Sequence, residues 1–315
     1  MRLLLLGCTG LVGRELVPML QAAGHSLTVV SRRQRSIPGV DLVVADPALA
    51  ASWGEGSSLR RALEQAEGVV NLAGEPIAEQ RWTPAHLKTL FASRIDTTTH
   101  LVEAIKASPA PPQVLVNASA VGFYGTSTTA SFTEESPAGA DVLADLCSQW
   151  EAAAAQVPQS TRLVITRIGI VLAADGGALG KMLPIFRIGF GGPIGSGQQW
   201  MSWIARTDLC RLISQALSDS SLQGTYNATA PKPVSMREFC AQLGQALNRP
   251  SLLPVPGLVL KLLLGDGASV VLEGQQVLPR RLQEQGFAHR APSLDAALAL
   301  ELRPASAAAT SPGRR

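Results

Sequence analysis

This chain has little tyrosine. Only Tyr124 and Tyr226 occur in 315 residues, and aromatics total 4%. Its net charge is +3, and its basic residues are scattered rather than interleaved with aromatics. That pattern argues against a nucleic-acid surface. Charged residues make up 16% against 46% hydrophobic, which excludes a disordered chain and suits a large buried core. No apolar run has the length of a membrane span. The strongest, Leu258 to Leu264, is short and contains Lys261. The four cysteines, Cys8, Cys147, Cys210 and Cys240, have neither metal-ligand spacing nor the density of a disulfide scaffold. No metal and no membrane partner are expected. Met1 leads into the first apolar run without a leader-cleavage pattern, so a reducing cytoplasm is the expected setting.

What is present begins at once. Leu3 to Leu6 is a continuous apolar run, as in a strand covered on both faces. It leads into Gly7-Cys-Thr-Gly10-Leu-Val-Gly13. Gly7 suits a tight turn, Gly10 keeps the backbone open to a phosphate, and Gly13 lets a helix sit close to the sheet. Val12, Leu16, Met19 and Leu20 recur at helical spacing, and Gly24 can end the helix. Free amides at the helix start then face an anion. The candidate pyrophosphate cradle is Gly7, Thr9, Gly10, Leu11, Val12 and Gly13. Without a ligand, the same residues make an ordinary strand-to-helix turn.

Ser26–Val30, Asp41–Ala45, Gly68–Leu72, Val114–Ala118 and Leu163–Ile168 read as further strands. Helical patterns at Pro84–Ala107 and Leu143–Ala155 lie among them. Such alternation predicts a doubly wound parallel sheet that binds ligands at the strands' carboxyl ends. After the second strand comes Ser31-Arg32-Arg33, with no acid to take a ribose hydroxyl. Ser31 and Arg32 suit a 2′-phosphate, which favours NADP(H) over NAD(H). Asp46 suits either an adenine amino group or a plain Asp-Pro turn. At the end of the fourth strand, Leu72, Ala73 and Gly74 are candidate cofactor contacts, the last two small enough to let a ribose or nicotinamide pass, and Ser119 can orient a substrate oxygen. Past residue 170 the pattern loosens. Gly176 to Gly197, with eight glycines, reads as a mobile loop over a cleft. The expected division is a dinucleotide domain at 1–170, a cleft-closing domain at 171–302 and a loose tail at 303–315.

Together these motifs resemble the extended short-chain dehydrogenase/reductases, and more narrowly the "epimerase family" proteins. The resemblance is carried by Gly7-x-x-Gly10-x-x-Gly13, Asn71-Leu-Ala-Gly-Glu-Pro-Ile77 and Arg81-Trp-Thr-Pro84. Ser119-Ala-Val-Gly-Phe-Tyr-Gly125, Leu146-Cys-Ser-Gln-Trp-Glu151 and Arg167-Ile-Gly-Ile-Val-Leu172 extend it. Gly191-Gly-Pro-Ile-Gly-Ser-Gly197, Trp203-Ile-Ala-Arg-Thr-Asp208 and the segment from Leu252 to about Leu302 complete it. It implies an α/β fold of Rossmann type with a smaller C-terminal α/β domain.

The wider superfamily has a catalytic tyrosine with a lysine four residues later, whose charge lowers the phenol's pKa, and the narrower family this chain resembles departs from that pattern. This chain has no such pair. Leu143 stands in the tyrosine's place and Cys147 in the lysine's, while Ser119 fits the family's serine. Cys147, Glu75, Glu134 and Glu135 are the substitute acid/base candidates, and Arg167 could anchor an anionic substrate. Trp200 and Trp203 could wall the pocket or belong to the core, and Asp208 reads as a helix N-terminal residue. Two functions emerge as expectations. One is an NADP(H)-dependent epimerase- or dehydratase-like oxidoreductase with a non-standard acid/base group. The other is a non-catalytic NADP(H) sensor. Either would take a small molecule, and a homo-oligomer is compatible with both.

Overall fold

In β1 (Arg2–Leu6), Leu3 and Leu5 turn to one side, Leu4 and Leu6 to the other, and all four are buried. Such a strand needs a layer on each face. The computed structural model describes residues 1–302, so the tail expected at 303–315 lies outside the described residues. β1 is central to a parallel sheet with β2 (Ser26–Ser31), β3 (Asp41–Val44), β4 (Gly68–Asn71), β5 (Val114–Ala120), β6 (Arg162–Ile168) and β7 (Gly224–Ala228). The order is β3-β2-β1-β4-β5-β6-β7. It reverses direction between β1 and β4, the crevice where doubly wound sheets bind ligands.

One face carries α1 (Gly13–Ala22), whose Leu16 and Leu20 meet Leu3 and Leu5. The other carries α2 (Ser58–Gln65) and α4 (Ile95–Lys106), with Leu63 and Leu101 against Leu4 and Leu6. The helical stretch expected over 84–107 is two helices, α3 (Pro84–Ala92) and α4. The break falls at Ser93-Arg94, whose side chains turn aside to bind the backbone of Glu75. α5 (Val142–Ala154) starts on Asp141, which accepts the Ala144 amide.

The glycine-rich stretch is not a plain loop. It contains α6 (Gly177–Arg187), which buries Leu179, Leu183 and Phe186 in a separate core. Trp203, Phe239 and Leu243 share that core, the last two from α8 (Met236–Ala246). The division expected near residue 170 does not separate the sheet from the later half of the chain. α7 (Arg206–Ser218) returns to pack on α1's side, and β7 pairs with β6. Among the described residues no helix is long and apolar enough to cross a membrane.

Asp208 joins the two lobes. It lies in the first turn of α7, as expected, but is fully buried. Its carboxylate accepts from the amides of Arg290 (2.8 Å) and Ala291 (2.9 Å) and from Arg211 (3.1 Å). Replacing Asp208 by Ala leaves two amides unpaired and should cost about 3 kcal/mol of unfolding free energy. Urea denaturation measures this, and a loss below about 1 kcal/mol would contradict the clamp.

Candidate cofactor cleft and active site

The cradle glycines have different neighbours. Gly7 has φ +74°, and a Cβ there would lie 2.4 Å from the Leu72 carbonyl carbon. A Cβ at Gly13 would lie 1.8 Å from the Cys8 carbonyl oxygen. The fold itself requires both glycines. Gly10 is different, because the nearest atom to its would-be Cβ is 3.6 Å away. No side chain caps the start of α1 beside it. Open space at an uncapped helix start fits the phosphates of a dinucleotide. Thr9 sits in the turn, and Val12 lines the adjoining cavity. Leu11 packs away from the cradle, against Gly176 and Gly177 of the second lobe.

The strand ends fit less evenly. Ser31 Oγ is bonded to the backbone of Arg33, donating at 2.8 Å and accepting at 3.2 Å. Arg32 is exposed and meets Glu75 at 3.4 Å. Asp46 accepts the Ala48 amide at 3.1 Å and so closes its own turn. Gly74 is small for a reason other than ligand passage, because the Arg94 guanidinium fills the space a side chain would need.

A cavity of about 1010 Å³ runs along the ends of β4 and β5, lined by Leu72, Ala73, Ser119, Leu143 and Cys147 among others. The C-terminal lobe covers it with a segment that includes Lys261 and Gln275, and Gln275 donates to the Val121 carbonyl at 2.7 Å. Trp200 lines the cavity, whereas Trp203 is fully buried in the second-lobe core.

Behind Ser119 lies a charged network that sheet register assembles. Ser119, Arg167 and Asn227 are direct neighbours across β5, β6 and β7. Arg167 holds Glu151 of α5 through two bonds of 2.8 Å, Nε to Oε1 and Nη2 to Oε2. Ser119 Oγ donates to Glu151 Oε1 at 2.6 Å. Tyr124 Oη accepts from Arg167 at 2.8 Å and donates to Asn227 at 2.7 Å. The guanidinium lies 3.4 Å over the ring of Phe123. Burial lowers the Arg167 pKa, but the bonds and charge of Glu151 outweigh it, so the net shift is upward. Burial raises the Tyr124 phenol, against the opposing pull of Arg167.

This arrangement corrects several expectations. Arg167 is not a substrate anchor, since its charge is spent inside the protein. Glu134 accepts the amides of Asn227 and Arg281, and Glu135 pairs with exposed Arg280. Burial and then Glu151 push the Cys147 thiol up to about 11. Sequence reasoning places Glu151 within a motif but assigns it no role. Its place one helical turn after Cys147 was the available signal.

A model described as "NAD dependent epimerase/dehydratase family" matches residues 3–228, and one described as "Domain of unknown function (DUF1731)" matches residues 255–300. The chain is 47% identical to the "Epimerase family protein SDR39U1 homolog, chloroplastic" of Arabidopsis thaliana, over 89% of this chain and 81% of that protein. It is 40% identical to the human "Epimerase family protein SDR39U1", over 95% and 98%. A crystal structure of the human protein with NADPH superposes with a TM-score of 0.86 at 40% identity, covering 96% of this chain and 99% of that one. Thermus thermophilus UDP-glucose 4-epimerase with NAD, at 20% identity, gives 0.73 over 95% and 97% and shares the fold.

With its thiol at about 11, Cys147 should resist iodoacetamide in native protein at pH 8 and react fast once unfolded. Peptide mass spectrometry reads this directly. Rapid native labelling of Cys147 at pH 8 would restore it as an acid/base candidate.

Proposed function

The chain belongs to the NAD-dependent epimerase/dehydratase family, and from that premise we propose that it binds NADP(H) along the cleft and acts on a small substrate beside Ser119. The open space at Gly10, between two glycines that the fold packs tight, carries this reading. A related human protein crystallised with NADPH supports the choice of dinucleotide. Within this chain that choice rests on Arg32. Its exposed contact with Glu75 is weak and easily exchanged for a 2′-phosphate.

When bound, the nicotinamide supplies hydride transfer. The chain's own part is to orient a hydroxyl and move its proton. Because Ser119 donates to Glu151, its free lone pairs accept a hydrogen bond from a substrate hydroxyl. A proton leaving that hydroxyl passes to Ser119 Oγ as the serine's own proton passes to Glu151, and it returns by the same route. A second reading, a non-catalytic NADP(H) sensor, is favoured by Arg167. A carboxylate held by a bidentate guanidinium is a poor proton acceptor.

Calorimetry with NADPH and NADH tests the proposal. NADPH should bind at least about tenfold tighter than NADH, and Arg32→Ala should cost NADPH alone about 1.5–3 kcal/mol. Gly10→Val should abolish binding of both without lowering the melting temperature. If neither dinucleotide binds, the reading fails. Binding without hydride exchange on a panel of carbonyls and nucleotide sugars selects the sensor.

A further inference from the structure

Cys147 leaves the cleft without the cation that a lysine would bring, and Arg94 supplies one from a different element. It stands at the break between α3 and α4, and its side chain lines the same cavity as Ser119 and Cys147. The guanidinium lies against the backbone of Gly74, where a Cβ would come within 2.9 Å of Cζ. It also lies 5.4 Å from the ring of Trp150, three residues beyond Cys147 on α5. Arg94 therefore sits between the end of β4 and the helix that lost its lysine.

Its bonding is incomplete on the protein side. Nη2 donates to the Glu75 carbonyl at 2.9 Å. Nη1 donates to the Leu90 carbonyl at 3.2 Å, with Ser93 Oγ at 3.5 Å. Among the described residues, Nε–H and the second Nη2 hydrogen have no acceptor, and no carboxylate lies within 4.0 Å. Nε is not among the sealed, unpartnered atoms, so its hydrogen is open to the cavity that Arg94 lines. Burial lowers the Arg94 pKa, partly opposed by Cys147 and Glu75, yet a guanidinium stays charged at neutral pH. A half-free cation is costly to hold in a cleft unless a ligand completes it.

We infer that Arg94 grips the nicotinamide-ribose end of the bound dinucleotide, replacing by position the lysine that Cys147 displaced. Its free N–H groups suit ribose hydroxyl oxygens. The contact with Gly74 places it at the end of β4, whose adjoining residues Leu72 and Ala73 meet Gly7 of the cradle. This inference rests on the cofactor reading above.

The test compares NADPH with adenosine 2′,5′-bisphosphate, which keeps the 2′-phosphorylated adenosine but has no nicotinamide riboside. Calorimetry is run on the parent chain, Arg94→Gln and Arg94→Lys. Arg94→Gln should weaken NADPH about tenfold and leave the bisphosphate unchanged, and Arg94→Lys should recover most of the loss. The ratio of the two dissociation constants is the readout, because it does not depend on the folded fraction. An unchanged ratio in Arg94→Gln overturns the inference, whether both ligands weaken equally or neither does. If the parent binds neither ligand, the cofactor reading itself has failed.

Discussion

The Glu151–Arg167 pair governs the interior of the site. Burying two charges costs several kcal/mol unless geometry and further hydrogen bonds make up for it. Here both carboxylate oxygens receive the guanidinium, Ser119 adds a third bond and Tyr124 takes a fourth from the arginine. Phe123 covers the flat face of the cation. The result ties α5 to β5, β6 and β7 at the level of the cleft floor. It also fixes the direction of the Ser119 hydroxyl. A tyrosine held this firmly behind the wall is a beam, not a proton carrier.

The cradle is tied to the second lobe as firmly as the floor is tied together. Arg206 bonds Glu15 at 2.9 Å, Asp175 at 2.6 Å and the Leu11 carbonyl at 3.4 Å. Arg14 meets the same Asp175 at 3.2 Å. Burial raises the Asp175 pKa, but bonds from Arg14 and Arg206 outweigh it and bring the carboxyl below its usual range. Leu11 fills the space left by Gly176 and Gly177 at the start of α6. A phosphate at Gly10 would therefore lie next to residues whose other sides already touch the cleft-covering lobe.

Much of this was legible from residue order. Four leucines in a row demanded a two-sided strand, and three spaced glycines demanded a turn into a helix. The chemistry was less legible because it depends on register across strands far apart in sequence. Ser119, Arg167 and Asn227 become neighbours only when β5, β6 and β7 align. The one local hint to Glu151, its place one helical turn after Cys147, does not say which strands it will meet. Composition misled at α6, where leucines at helical spacing outweighed the glycines around them. Gly74 misled in another way, since its small size admits an arginine from twenty residues downstream.

The return of α7 and β7 to the main sheet means that neither lobe is a separable module. A fragment stopping near residue 170 would leave β6 as a bare edge, with unpaired N–H and C=O groups along the strand that carries Arg167. Such an edge invites pairing with other chains, so the piece holding the glycine cradle would be prone to aggregate. A piece that keeps the cradle and a paired edge must therefore carry the chain through β7, and with it most of the second lobe's path.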